Sequence, residues 1–294
     1  MASDPVMAAA MRLGTAVDTL AAIGARARID RDGVDVDPRI RGLLDEIVAQ
    51  ATGGATSDES IDPAVAGLVH TLFALGLDMI QHPARSAGWE HTDTGLLQSI
   101  GRLSGSIAGA IATACESDHT LAAVLRRDGA RFLDIGSGTG WLAIAMARTF
   151  PNLQVVGIDV LEPAVDLARQ NVDGEGLSDR VELRLQDATL LDEDSVYDAA
   201  WIALPFMPQP IVPEILDVAR RALRPGGLVI PGTFNQHDDA LAQALIDLRT
   251  LRSGGHPWRP AELISLLAAH EFRAARHQPR SWPAPVELYT AERP

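Results

Sequence analysis

Lysine is absent from this 294-residue sequence, so all 25 of its basic side chains are arginines. The absence excludes a Schiff-base catalyst, a pyridoxal phosphate anchor and the lysine of a phosphate-binding P-loop. The arginines are outnumbered by 39 aspartates and glutamates, which gives a net charge of -14 at pH 7. Because nucleic acid requires clustered cations, we predict no nucleic-acid partner.

Cysteine is nearly absent, since Cys115 is the only one. An internal disulfide is therefore impossible, and a single thiol suits a reducing compartment, for which we predict the cytoplasm. Cys115 follows an alanine-rich segment, which predicts a buried apolar residue rather than a nucleophile.

Long uninterrupted apolar runs are also missing. Asp4 precedes any arginine, and no continuous apolar core of the signal-peptide kind follows it. The stretches 63–77 and 104–114 are shorter or more interrupted than the roughly 20 residues that cross a bilayer. We predict a soluble protein with no membrane partner.

The residue pattern that is present changes near residue 127. Residues 1–127 repeat apolar side chains at helical spacing, which predicts an all-helical N-terminal domain. Residues 128–294 alternate strand and helix patterns, which predicts a mostly parallel sheet covered on both faces. The predicted helices cover 5–28, 38–50, 63–81, 93–114, 118–127, 140–149, 163–173, 209–223, 238–250 and 260–270. The predicted strands cover 131–135, 154–159, 181–185, 197–203, 227–231, 272–277 and 286–291.

Three glycines at alternate positions follow the first predicted strand. Gly136, Gly138 and Gly140 predict a tight loop whose backbone comes very close to a ligand, because only glycine leaves room there. Asp159 ends the next apolar run, where a carboxylate can bind the two hydroxyls of a ribose. Ligands of such sheets lie at the carboxyl ends of the strands. The pattern indicates a cofactor that contains a nucleoside.

The spacing of the glycines separates two cofactor classes. A dinucleotide fingerprint requires a glycine at position 141, and the sequence has Trp141 there. Five segments in the order 133–140, 159, 186–188, 198–205 and 223–230 resemble the motifs of class I S-adenosylmethionine-dependent methyltransferases. The resemblance implies an α/β fold with a Rossmann-like, seven-stranded, mostly parallel sheet, preceded here by the helical domain.

The resemblance also implies which residues hold S-adenosyl-L-methionine. Asp134 and the glycine loop would hold the methionine part, Asp159 the ribose, and Asp187 with Ala188 the adenine. Asp187 is alternatively a helix cap or turn residue. The predicted cofactor-binding residues are Asp134, Gly136, Ser137, Gly138, Gly140, Asp159, Val160, Asp187, Ala188, Leu204 and Pro205.

The segment 204–208, after the fourth strand, should flank the methyl group. It lacks the Asn/Asp-Pro-Pro-aromatic signature of enzymes that methylate amide or nucleobase nitrogens, and also the His-Asp pair of plant-type O-methyltransferases. A general base must therefore come from elsewhere, and the candidates are His91 and His237, each alternatively a surface residue. Trp89, Phe206 and Met207 would line the acceptor pocket, and no metal site is predicted.

We predict methyl transfer to a small, secondary-metabolite-like organic acceptor, at an oxygen, nitrogen or carbon atom. Two alternatives stay open. The bound cofactor could serve a cyclisation or rearrangement without methyl transfer, or the chain could be a non-catalytic partner subunit. The helical domain would be a substrate domain or lid, or would join two copies into a homodimer.

Overall fold

The computed structural model describes residues 4–54, 60–89 and 91–294. It contains two compact units, Met1–Pro83 and Ala84–Pro294. The predicted border at 127/128 therefore lies inside the second unit. The reason is that the helices between residues 94 and 126 contact the elements of the sheet unit.

Three helices form the N-terminal unit. Each begins with an aspartate cap and a proline, because the side chains of Asp4, Asp37 and Asp62 accept hydrogen bonds from the backbone N–H two residues further on. The first helix continues four residues beyond its predicted end and stops where Gly33 adopts a φ of +61°. The helices are α1 (Pro5–Asp32), α2 (Pro38–Thr52) and α3 (Pro63–Gln81).

Two segments of this unit, Pro5–Asp32 and Ala64–Gln81, are long and apolar enough to cross a membrane by length and composition alone. The stretch 63–77 is part of the second of these segments, which reaches Gln81 as the sequence predicts. The absence of a membrane partner stays a prediction.

The second unit begins with three further helices, α4 (Thr94–Ser104), α5 (Ser106–Ser117) and α6 (His119–Arg126). The sequence pattern predicts one helix over 93–114, and the structure breaks it at Gly105. The amide of Gly105 donates to the carbonyl of Arg102, three residues back, rather than continuing the α-helical pattern. Both α4 and α5 pack against the later helix α7 (Trp141–Thr149).

A seven-stranded sheet in the order β3-β2-β1-β4-β5-β7-β6 forms the centre of this unit, which confirms the predicted fold class. The first five strands are parallel, and β7 is antiparallel to both β5 and β6. The strands are β1 (Arg131–Ile135), β2 (Gln154–Asp159), β3 (Val181–Leu185), β4 (Tyr197–Ala203), β5 (Leu223–Phe234), β6 (Arg273–His277) and β7 (Val286–Glu292). The remaining helices are α7 (Trp141–Thr149), α8 (Glu162–Gly174), α9 (Val212–Ala222), α10 (Ala240–Arg252) and α11 (Pro260–Ala269).

The centre of the sheet is fully covered. Every residue of β4 is buried, and Trp201 belongs to the core as the sequence predicts. A Cβ at Gly232 would lie 2.0 Å from the Trp201 ring, so this glycine makes room for the indole. β5 is longer than its predicted span of 227–231, because Leu223 pairs with Tyr197 at one end and Phe234 with Val286 at the other.

Candidate active site

The glycine loop folds back on the strand beside it. The amides of Gly136 and Ser137 both donate to the carbonyl of Ile158, at 2.9 and 3.1 Å. Gly136, Gly138 and Gly140 have φ values of +80°, +53° and +78°, which side chains rarely adopt. A Cβ at Gly136 would lie 2.6 Å from Met207 Cε. The loop backbone is therefore bare where Met207, a predicted lining residue, packs against it.

Asp159 organises this loop. Its Oδ2 accepts the amide of Gly138 at 2.8 Å, and its Oδ1 accepts the amide of Leu161 at 2.9 Å. Burial raises the pKa of Asp159, which these backbone hydrogen bonds oppose. A carboxylate has about four acceptor positions, so two oxygens that each accept one amide still have lone pairs for ribose hydroxyls.

Asp134 lies deeper, at the end of β1. It is 1% exposed, and neither carboxylate oxygen has a hydrogen-bond partner in the part of the chain that the structure describes. Burial, and secondly the charge of Asp159, raise the pKa of Asp134 to about 7. A buried carboxylate without a partner is costly unless it is protonated or faces a cation. The pair therefore suits a positively charged ligand.

The predicted adenine end lies beside Asp159. The amide of Gln186 donates to the carbonyl of Asp159 at 2.9 Å, which brings the next residue, Asp187, to the same edge of the sheet. The Asp187 side chain is exposed and accepts from the amide and the hydroxyl of Thr189, both at 2.9 Å. It thus caps a short 3-10 turn, the alternative role that the sequence allows, while Val160 is 68% exposed.

A network of amide side chains holds the outer side of the glycine loop. Gln98 Oε1 accepts from Trp141 Nε1 at 2.8 Å and from Asn171 Nδ2 at 3.1 Å, while Gln98 Nε2 donates to Asn171 Oδ1 at 2.9 Å. Asn171 Nδ2 also donates to the carbonyl of Thr139, inside the loop, at 2.8 Å. Gln98 therefore joins α4 to α7 and α8, the two helices that flank the glycine loop.

Aromatic rings line the other side of the site. Trp89 makes edge-to-face contacts with His91 and Phe206, with centroids 4.8 and 4.9 Å apart, and Phe206 makes another with Phe234 at 5.9 Å. Leu204 and Pro205 are buried at the start of the turn that carries Phe206. The predicted residues Trp89, His91 and Phe206 are thus brought together.

The backbone of Gly88 positions this aromatic group. Its amide donates to the carbonyl of Arg252 at 3.4 Å, and a Cβ at Gly254 would lie 3.1 Å from Gly88 Cα. His237 lies apart from the ring contacts, with an exposed side chain and its amide bonded to Gln243 Oε1 at 2.9 Å. Its role as a base stays a prediction. No cluster of three metal-ligating residues occurs within residues 4–54, 60–89 and 91–294.

Comparison with known proteins identifies one segment of the chain. Residues 132–227, about a third of the chain, match the family described as a methyltransferase domain. This segment is a methyltransferase domain. The matched residues contain the glycine loop, Asp159 and the turn after β4, so the family match and the site geometry coincide.

The relatives of this methyltransferase domain are partial matches. The chain is 34% identical over 125 residues to a release factor glutamine methyltransferase from Rhodopirellula baltica, covering 42% of this chain and 41% of that one. It is 31% identical over 163 residues to a ubiquinone biosynthesis O-methyltransferase from Cereibacter sphaeroides, covering 52% and 64%. The chain thus spans less than two thirds of the length of these curated relatives.

Solved structures match the whole chain in fold. An O-methyltransferase family protein from Burkholderia thailandensis superposes with a TM-score of 0.68 at 17% identity. The match covers 100% of this chain and 99% of that one. The arrangement of a methyltransferase sheet after N-terminal helices is therefore shared, at an identity that supports the fold alone.

The residues that support the glycine loop from distant parts of the sequence were not predicted. Gln98 and Asn171 lie 73 positions apart on two helices, and neither belongs to a motif. Phe234 was passed over because the predicted β5 ended before it. The signal that could have found Asn171 is the alternation of strands and helices, because it places α8 beside the glycine loop.

We expect Gln98→Leu to weaken the binding of S-adenosylhomocysteine about tenfold, because Trp141 and Asn171 lose a shared partner and the loop loses its brace. Isothermal calorimetry measures this affinity, and thermal unfolding shows whether the variant is folded. Gln154→Leu, at an exposed strand position, is the matched control. An unchanged affinity in a folded Gln98→Leu variant would mean that the network does not position the loop.

Proposed function

We propose that this chain binds S-adenosyl-L-methionine and transfers its methyl group to a small organic acceptor. The observation that carries the proposal is the buried, unpartnered carboxylate of Asp134 beside Asp159, behind a loop of three glycines. The cofactor supplies an electrophilic methyl group on a positively charged sulfur and also carries an ammonium group. Two carboxylates in a poorly hydrated site favour such a cation.

The chain's own residues fit each part of the cofactor. The glycine loop leads directly into the N-terminus of α7, which has no side-chain cap, and the positive end of that helix would favour the carboxylate of the cofactor. Asp159 retains lone pairs for the ribose hydroxyls. Val160, Asp187 and Ala188 lie at the strand ends beside it and would contact the adenine.

The acceptor would lie against the aromatic rings on the other side of the loop. Trp89 and Phe206 supply apolar walls that exclude water and align the acceptor, which are the main tasks of an enzyme that catalyses an in-line methyl displacement. His91 touches Trp89 and is our proposed base for acceptors that must lose a proton. An O-methyltransferase among the relatives supports oxygen as the acceptor atom.

A transfer assay with methyl-labelled cofactor and a panel of phenols, amines and carbon acids tests the proposal. Formation of S-adenosylhomocysteine together with a labelled product supports methyl transfer. Product without label indicates the rearrangement alternative, and cofactor binding without turnover indicates the partner-subunit alternative. Failure to bind S-adenosylhomocysteine in calorimetry would exclude the proposal.

We further propose that α1–α3 join two copies of the chain into a cytoplasmic homodimer. Large apolar side chains exposed on one unit usually mark an interface. Light scattering should give twice the chain mass, and Met11→Glu with Ile80→Glu should halve it, whereas Leu248→Glu in α10 should not. A monomeric wild type, or one soluble only in detergent, would contradict the dimer. The exposed apolar side chains include Val6, Met7, Met11, Leu13, Ile40, Leu43 and Ile80.

A further inference from the structure

A narrow cleft with a volume of about 10 Å³, roughly the space of one water molecule, opens at the carboxyl ends of β4 and β5. Two of its lining residues, Asn235 and Trp258, are only 8% and 6% exposed. In the described part of the chain, Asn235 Oδ1 and Trp258 Nε1 have no hydrogen-bond partner. A buried polar atom without a partner costs about 1–3 kcal/mol. One acceptor and one donor in the same cleft therefore indicate a ligand that satisfies both.

The charges around the cleft are already paired. Arg259 Nη2 lies 2.6 Å from Asp247 Oδ2, and His256 Nε2 lies 3.1 Å from Glu262 Oε1. An ionised ligand would find no unpaired counter-charge among these groups, and its desolvation would be uncompensated. The group that fits is therefore neutral.

The donor is held in place by contacts with the rest of the site. Gln236 Nε2 donates to the carbonyl of Trp258 at 3.2 Å, and the Trp258 and His256 rings meet edge to face at 4.5 Å. The loop that carries them packs against the turn after β4, where a Cβ at Gly255 would lie 2.4 Å from the carbonyl of Pro205. The indole N–H of Trp258, which has no hydrogen-bond partner in the described part of the chain, is therefore held in a fixed position in the wall of the cleft.

Aromatic rings border the same cleft. Phe234 lines it and contacts Phe206, which in turn contacts Trp89. This volume is far below the roughly 300–1,000 Å³ of a pocket that encloses a drug-sized ligand, and it admits one group of about the size of a water molecule. The cleft therefore has room for one polar substituent, while the ring that bears it can rest on the phenylalanines.

We propose that this cleft is an acceptor-recognition subsite for a neutral substituent that both donates and accepts a hydrogen bond, carried on an aromatic ring. A hydroxyl does this through one oxygen and a carboxamide through adjacent atoms. Trp258 Nε1 donates to the substituent, and Asn235 Oδ1 accepts from it. The subsite rests on the proposed function, since it selects the acceptor of that same reaction.

Ligand-observed NMR titrations with phenol, benzamide, benzoate and toluene test the subsite, on the full chain with S-adenosylhomocysteine present. We expect phenol or benzamide to bind, and benzoate and toluene to bind at least tenfold more weakly. Asn235→Leu and Trp258→Phe should each reduce the affinity for the preferred probe about tenfold. Asp238→Ala, at an exposed neighbouring position, should leave it unchanged.

Three outcomes would overturn the subsite: no binding of phenol or benzamide, equal binding of toluene, or wild-type affinity in both cleft variants when thermal unfolding shows them folded. Calorimetry with S-adenosylhomocysteine separates this failure from that of the proposed function. If the chain binds the probe but does not bind S-adenosylhomocysteine, the subsite is supported and the methyl-transfer proposal is excluded. If the chain binds S-adenosylhomocysteine but not the probe, the methyl-transfer proposal is retained and the subsite is excluded.

Discussion

Asp159→Ala is expected to weaken the binding of S-adenosylhomocysteine about a hundredfold. The carboxylate accepts the amides of Gly138 and Leu161, so its removal leaves both amides without their partner and loosens the loop. It also removes the acceptor for two ribose hydroxyls. Hydrogen bonds to charged groups contribute about 1.5–3 kcal/mol each, which corresponds to at least a tenfold loss for each one.

Calorimetry on the folded variant measures this loss, and two further variants locate its origin. Asp159→Asn keeps one oxygen that can accept an amide but removes the charge, so it should bind with intermediate affinity. Asp166→Ala changes an exposed aspartate on α8 that pairs with Arg169, and should behave as wild type. If Asp159→Ala bound the ligand as tightly as wild type, the assignment of the ribose site would have to be given up.

The part of the site that could be predicted from the sequence is formed by residues that lie close together in the chain. A strand, three glycines and a helix follow one another within residues 131–149, and each requires a residue type with a specific backbone or packing property. Asp159, at the end of the next strand, belongs to the same kind of short-range pattern. Such short-range patterns predicted every strand of the sheet, with β5 too short at both ends.

What was missed depends on contacts between distant segments. The bond between Gln98 and Asn171 joins two helices whose own patterns do not require it. The cleft of Asn235 and Trp258 forms only because the loop after α10 folds onto the turn after β4. The break at Gly105 was missed as well, since the local sequence from Thr94 to Ser117 is compatible with one helix.

Asp134 should make the stability of the cofactor-free protein fall as the pH rises. Its pKa is raised from 3.8 to about 7 in the folded chain, so the folded state binds more protons than the unfolded state between these values. Its contribution is fully favourable below pH 3.8 and is lost as the pH passes 7. Three pKa units correspond to about 4 kcal/mol, an upper limit for this one group.

Asp134→Asn isolates this effect, because it removes the titrating group and changes little else in size. Urea denaturation at pH 5, 6, 7 and 8 gives the free energy of unfolding of both proteins. We expect the difference, variant minus wild type, to grow from pH 5 to pH 7 and to level off by pH 8, whatever constant offset the buried amide introduces. A difference independent of pH would show that Asp134 stays ionised in the folded protein throughout this range.

The charge of the cofactor should act on the same carboxylate. S-adenosylmethionine carries one more positive charge than S-adenosylhomocysteine, and an opposite charge within about 4–6 Å lowers the pKa of an acid. The extra stabilisation by the sulfonium form should therefore increase from pH 6 to pH 8 in wild type, as Asp134 ionises. In Asp134→Asn the two ligands should differ by a constant amount. Because methyl transfer removes that positive charge, ionised Asp134 would hold the product less tightly than the cofactor, which would favour release of the product.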